Sequence, residues 1–288
     1  MKVLQQQVQT NSPPSVGSSA IAFECCGARI MLGSTDHQVL QDLIPLLPPG
    51  SSAIAPNKVD ATLFIQKRPQ HGLYCIQDSH EIPRGELAYR TLEELASEFH
   101  FIVSVFARPY LFVHAGVVAW CGHAIILPGH SMTGKSTLVS ALVDYGATYY
   151  SDEYAVIDRH GRIHPYRKSL ALRTRGGVSR RFETVPISET APHAESSVAS
   201  LVASLTYRAN STWNPRNLTP AETVLTLFKN TVAAKARGQF ALRALSHVAR
   251  RATCIKGLRP EASVAAAALI KFATESSRAS GPGGFASI

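Results

Sequence analysis

Residues 124–136 read AIILPGHSMTGKS, and Thr137-Leu138-Val139-Ser140-Ala141-Leu142-Val143 follow as the start of a helix. The order is an apolar strand, a loop bounded by Gly129 and Gly134, then a helix. Gly129–Ser136 fits the pattern G-x-x-x-x-G-K-[ST] without a mismatch, in the flanking context that gives the motif its meaning. Gly129 and Gly134 permit a tight turn in which successive N–H groups converge on phosphate oxygens. The helix N-terminus adds partial positive charge. Lys135 is expected to reach the terminal phosphates and the Ser136 hydroxyl to hold Mg2+. The stretch predicts an ATP site with Mg2+, built from Gly129, His130, Ser131, Met132, Thr133, Gly134, Lys135, Ser136 and Thr137.

Upstream, Tyr110–Leu127 is the most apolar stretch, but His114, Gly116, Gly122 and His123 interrupt it. It predicts two strands around a turn at Cys121-Gly122-His123 rather than a membrane span. Downstream, Gly146–Asp158 predicts a strand ending at the adjacent carboxylates Asp152 and Glu153, then another strand. The carboxylates lie 17 and 18 residues after Lys135, room for one helix and a returning strand. Neighbours on an ideal strand face opposite ways, but at a strand end both can line one site. One would then serve the metal and the other the phosphoryl acceptor. Tyr149, Tyr150 and Tyr154 predict that this joint is buried.

The stretch VHAGVVAWCGHAIILPGHSMTGKSTLVSALVDYGATYYSDEYAVID, residues 113–158, resembles the catalytic core of the HPr serine kinase/phosphorylase family and its HPr-kinase-related relatives. Those proteins share a V-H-[GA] strand, a G-x-S-x-x-GKS loop and a D-[DE] pair after a second strand; the resemblance covers roughly residues 110–175. It implies an α/β fold, a P-loop kinase core of HPr-kinase type with a mixed sheet wrapped by helices. It also implies a serine kinase in which Asp152 is the general base, His114 its partner, Glu153 a metal-side carboxylate and Ser136 a Mg2+ ligand. Arg173, after a hairpin, is a candidate phosphate or acceptor contact, with Arg175 ranked behind it. The region after Arg175 lacks the glycine- and asparagine-rich signature with which true HPr kinases engage their protein substrate. The acceptor implied is therefore a serine on a peptide, a protein or a small molecule. Ring-like homo-oligomers are a further implication of the resemblance.

Elsewhere, residues 1–18 are polar and predict a disordered N-terminus. Residues 19–109 predict a small α/β region: strands around Gly27 within Ala20–Leu32, a helix at Val39–Leu47, a strand at Asp60–Lys67 paired with Gly72–Gln77, and a helix at Leu92–Phe106. Residues 110–275 form the predicted kinase domain. In it, Ile163–Tyr166 and Ser169–Arg173 predict a hairpin, Thr174–Ser200 a mobile loop and Leu201–Tyr207 a strand. Helices follow after Thr219, at Phe240–Arg250 and at Pro260–Ala273. Tyr207-Arg208 and Trp213–Arg216 suit an acceptor-facing loop, with Trp213 equally suited to packing. Residues 276–288 predict a disordered tail.

Five cysteines without a C-x-x-C pair predict reduced, buried thiols in a cytoplasmic protein, and the N-terminus has no apolar core of the secretory kind. The net charge of +9 is uneven: residues 1–158 carry 9 Lys/Arg against 14 Asp/Glu, and residues 159–288 carry 20 against 6. The second half either meets an anion or exposes solvated arginines. No separate nucleic-acid motif is present. A regulatory nucleotide-binding ATPase with little transfer stands as the alternative to a kinase.

Overall fold

The computed structural model describes residues 19–68, 73–78, 89–130, 133–167, 170–173, 182–185 and 195–279, giving only the backbone for 68, 73–78, 89–90, 170–173, 182–185 and 276–279. The readings for residues 1–18 and 280–288, for Ser131, Met132 and Arg175, and for most of the predicted 174–200 loop lie outside these residues. The chain is mixed α/β and divides into two units, Met1–Arg108 and Pro109–Ile288.

The first unit is a six-stranded sheet with two helices. Its strands are β1 (Ser19–Cys25), β2 (Ala28–Ser34), β3 (Ser52–Ala53), β4 (Ala61–Arg68), β5 (Leu73–Asp78) and β6 (Tyr89–Arg90), in the order β3-β1-β2-β4-β5-β6. Cys26 and Gly27, at φ 52° and 77°, make the tight turn between β1 and β2. Alternation sends Ala61, Leu63 and Ile65 of β4 inward. Helix α1 (His37–Leu43) is capped by Asp36 and passes into a single 3-10 turn at Ile44–Leu46, shorter than the helix predicted to Leu47. Pro45 within that turn explains the early end. Helix α2 (Leu92–Phe106) starts at a capping box in which the Thr91 and Glu94 side chains each satisfy the other's backbone N–H.

The second unit holds the glycine loop. Its strands are β7 (Tyr110–Trp120), β8 (His123–Pro128), β9 (Thr148–Ser151), β10 (Tyr154–Asp158), β11 (Arg162–His164), β12 (Leu170–Arg173), β13 (Phe182–Val185), β14 (Ser197–Tyr207), β15 (Arg216–Asn217) and β16 (Thr253–Arg259). Its helices are α3 (Lys135–Asp144), α4 (Pro220–Lys229), α5 (Gly238–Arg251) and α6 (Ala262–Ala279). The main path is β11-β10-β7-β8-β14-β16-β15, with β9 on β7. Strand β8 runs parallel to β14, and β14 parallel to β16, so three carboxyl ends share one side. In open α/β sheets that side receives ligands. The sheet also curls, because the start of β14 pairs with β8 and with β11, and β11 in turn pairs with β10. Strands β7, β8, β14, β11 and β10 thus close a ring.

Both faces of this sheet are covered, which is why β8 is a continuous apolar run rather than an alternating one. Ala124 and Ile126 pack with Ala241, Leu245 and Val248 of α5 and Leu227 of α4. Ile125 and Leu127 pack with Leu138, Val139 and Leu142 of α3 and Leu269 of α6. Helix α3 lies so close to β7 that a Cβ at Gly116 would come within 2.5 Å of Val139 Cγ2, in a region where Val139 is fully buried. The substitution Gly116→Ala is therefore expected to destabilise the unit by about 1–3 kcal/mol through overpacking. Thermal melts check this, and adding Val139→Ala restores part of the loss if the close approach is the cause.

Several sequence readings need correction. The segment Ser169–Arg173 does not pair with Ile163–Tyr166: β11 pairs with β10 and β14, while β12 pairs with β13. Two strand segments fall inside the predicted loop, β13 and the first residues of β14. Strand β16 was not anticipated, because only Cys254, Ile255 and Arg259 of its seven residues are buried and no regular alternation marks it. Helix α6 continues to Ala279, into the tail predicted to be disordered.

Candidate functional site

The phosphate-loop candidates, His114 and the Asp152–Glu153 pair converge where β7, the β8–α3 loop and the β9–β10 joint meet. Strands β9 and β10 pair with the same edge of β7, β10 with Tyr110–His114 and β9 with Val117–Ala119. Asp152 and Glu153 are the joint between them, where the alternation of a regular strand is suspended. The Ser151 hydroxyl accepts the N–H groups of Glu153 (3.2 Å) and Tyr154 (3.1 Å), forming the bend, and Ala115 N–H donates to the Glu153 carbonyl (3.1 Å). His114 sits opposite Tyr154 in the register, and Gly129 N–H donates to the His114 carbonyl (3.1 Å). Backbone bonds thus tie the loop entrance, the histidine strand and the acidic joint together.

Gly134 takes a left-handed φ of 79° at the cap of α3. A Cβ at Gly129 would come within 3.1 Å of Thr133 Oγ1. Thr133 Oγ1 donates to the His130 carbonyl (2.9 Å), and Lys135 Nζ donates to the same oxygen (2.6 Å), so the lysine curls back over the loop. Burial lowers the Lys135 pKa, while the negative charges of Asp152 and Glu153 pull it back up. Thr137 is exposed in the first turn of α3.

Ser136 Oγ donates to Asp152 Oδ2 (2.8 Å), and the Tyr149 hydroxyl donates to Asp152 Oδ1 (3.0 Å). Asp152 is buried at 7% exposure. Burial, and then the Asp152 charge, raise the Tyr149 pKa, so the phenol stays a donor to the carboxylate. Among the described residues no group of three or more His, Cys, Asp or Glu could hold a metal. The Ser136 hydroxyl and the Asp152 carboxylate are nonetheless oxygen donors of the kind Mg2+ takes, because it keeps several waters and takes its remaining oxygens from substrate phosphates.

Half-buried His114 lies against Tyr154, with ring centroids 4.8 Å apart. Burial lowers its pKa first; the Glu153 charge raises it, and Lys135 and His130 push it further down. An NMR titration of the ring is expected to give a midpoint below the ordinary 6.5. With a depressed folded pKa, the stability this group contributes is complete above the unfolded value. It is lost as pH falls below about 6.5 toward the folded pKa, because the unfolded chain then binds the proton first. A midpoint at or above 6.5 contradicts this placement.

A search against protein-family models finds no match, and a search of curated proteins finds none either.

Two residues that the sequence did not single out belong to this neighbourhood. In the sequence Tyr149 signals only a buried joint. Arg259, the last residue of β16, donates from Nη2 to the Gly134 carbonyl (3.0 Å). Its part became visible only once the parallel order β8, β14, β16 was known. Arg173 lies on β12, whose backbone alone is described. The predicted acceptor loop leaves the end of β14, where Arg208–Thr212, Asn214 and Leu258 frame a pocket of about 580 Å³. Trp213 packs against the α3–α6 side of the core, and Arg216 pairs with Glu222 at 2.9 Å. Several other positive charges of the second half have internal partners. Arg162 bonds the Ser196 hydroxyl and carbonyl, Arg237 the Tyr110 carbonyl and Arg251 the His160 carbonyl. Among the described residues no helix is long and apolar enough to cross a membrane.

Proposed function

We propose that the chain is an ATP- and Mg2+-dependent kinase with a P-loop core of HPr-kinase type, transferring the terminal phosphoryl group to a serine hydroxyl of a protein, peptide or small molecule. The observation that carries this reading is the 2.8 Å bond from the Ser136 hydroxyl to the Asp152 carboxylate, directly beside Lys135 at the head of α3. A hydroxyl, a carboxylate and an ammonium meeting where a glycine loop enters a helix suit a metal-bound triphosphate.

Mg2+, when bound, would neutralise charge on the phosphates, and Ser136 and Asp152 would hold it. The loop amides and Lys135 would bind the phosphates and stabilise charge on the transferred group. Transfer forms a bond from the acceptor oxygen to the terminal phosphorus and breaks the bond to the leaving ADP oxygen. The acceptor proton needs a base. The resemblance gives that role to Asp152, but both Asp152 oxygens already accept hydroxyl donors. We therefore assign Asp152 to the metal side and Glu153 to the acceptor side, with neutral His114 beside it to share the proton. Glu153 is half-buried, and its charge acts on both His114 and Lys135.

Calorimetric titration with Mg-ATP tests the foundation of this reading. One site that weakens on removal of Mg2+ supports it; no binding of ATP with or without Mg2+ removes it.

A further inference from the structure

We infer that Arg259 is a positioning residue of the phosphate site, holding the Gly134 carbonyl and placing a fixed positive charge behind the loop that receives the phosphates. The inference rests on the nucleotide reading proposed above.

Arg259 is only 4% exposed. Its guanidinium donates from Nη2 to the Gly134 carbonyl (3.0 Å) and from Nη1 to the Pro260 carbonyl (3.1 Å), and lies 5.0 Å from the centre of the Tyr207 ring. These partners are neutral. Among the described residues no carboxylate lies within ion-pair distance of it. The nearby Glu261 carboxylate accepts the Tyr207 hydroxyl at 2.5 Å, so its charge reaches Arg259 from a distance. Burying a cation among neutral acceptors costs free energy that a nearby anion offsets.

The place of this cation is specific. Gly134 precedes Lys135, caps α3, and offers the same carbonyl to Leu138 N–H as the first helical bond (3.2 Å). A Cβ on Gly134 would collide with Arg259 Nη2, so the glycine is needed both for its left-handed φ and for the approach of the guanidinium. Lys135 and Arg259 thus bring two positive charges to the N-terminal end of α3. Arg259 also joins this end to the acceptor-side pocket, because Arg208 N–H donates to its carbonyl (3.0 Å).

The test compares native protein with Arg259→Met, Arg259→Gln and Arg259→Lys, measuring affinity for Mg-ATP and for inorganic tripolyphosphate well below each melting temperature. Met and Gln remove the charge, and Gln keeps a donor for Gly134. Both are expected to weaken both ligands by about 10-fold or more, and Lys to recover part of the loss. The shared loss on tripolyphosphate places the effect on the phosphates, and recovery by Lys separates charge from mere packing. If Met does not fold, Gln decides. Folded uncharged variants that bind both ligands within roughly twofold of native overturn the role. Native protein that binds neither ligand overturns the nucleotide reading itself, a separate outcome.

Discussion

The Lys135→Ala protein is expected to fold normally and to be impaired in both Mg-ATP binding and phosphoryl transfer. Its side chain is half-buried and, among the described residues, its ammonium bonds the His130 carbonyl of the loop, so truncation removes no core contact of consequence. Burial already depresses its pKa, which means that the site holds a cation at a cost in solvation. A bound triphosphate would relieve that cost, so its removal should weaken Mg-ATP by about 10-fold or more. The turnover should fall by a further factor of about 100 to 1,000, the range for losing one group that stabilises transition-state charge. Calorimetry and a transfer assay measure the two effects separately. Native affinity in the variant would show that the loop binds something other than a triphosphate.

The second large effect separates the two carboxylates. Glu153→Gln is expected to bind Mg-ATP nearly as well as native protein while transfer falls by about 100- to 10,000-fold, as for loss of a general base. Asp152→Asn is expected to bind ATP with much weaker dependence on Mg2+. A loss of about 10- to 100-fold in Mg2+ affinity is a lower bound, since that range describes residues one step removed from a metal. The reverse pattern, with Asp152→Asn binding Mg-ATP normally but inert and Glu153→Gln impaired in Mg2+ binding, would restore the roles implied by family resemblance. The bonds from Ser136 and Tyr149 to Asp152 are what favour the first pattern.

The elements nearest the site were legible because local signals specify them. The apolar run of β8, the turn at Cys121 and Gly122 with φ 49° and 78°, and the helix after Gly134 follow from residue types a few positions apart. Helix α4 was legible from Thr219, Pro220 and Glu222, which form the predicted cap. What was not legible depends on partners distant in sequence. Strand β16 carries Lys256 and Gly257 in its middle and is recognisable only by its place beside β14. The contact of Arg259 with Gly134 spans 125 residues and depends on that place. Likewise the adjacency of Asp152 and Glu153 was plain, but which of them meets Ser136 depends on the bend at Ser151 and on Tyr149. The ring closure through β11 is set by long-range pairing that no local pattern encodes.

The most direct test of the central claim is phosphoryl transfer from γ-labelled ATP with Mg2+ to components of an extract of the protein's own source cells, run beside the Glu153→Gln protein. The account predicts a labelled, acid-stable product with native protein and little or none with the variant. Tight binding of Mg-ATP by both proteins with no labelled product from either would contradict a kinase and leave a nucleotide-dependent regulatory protein.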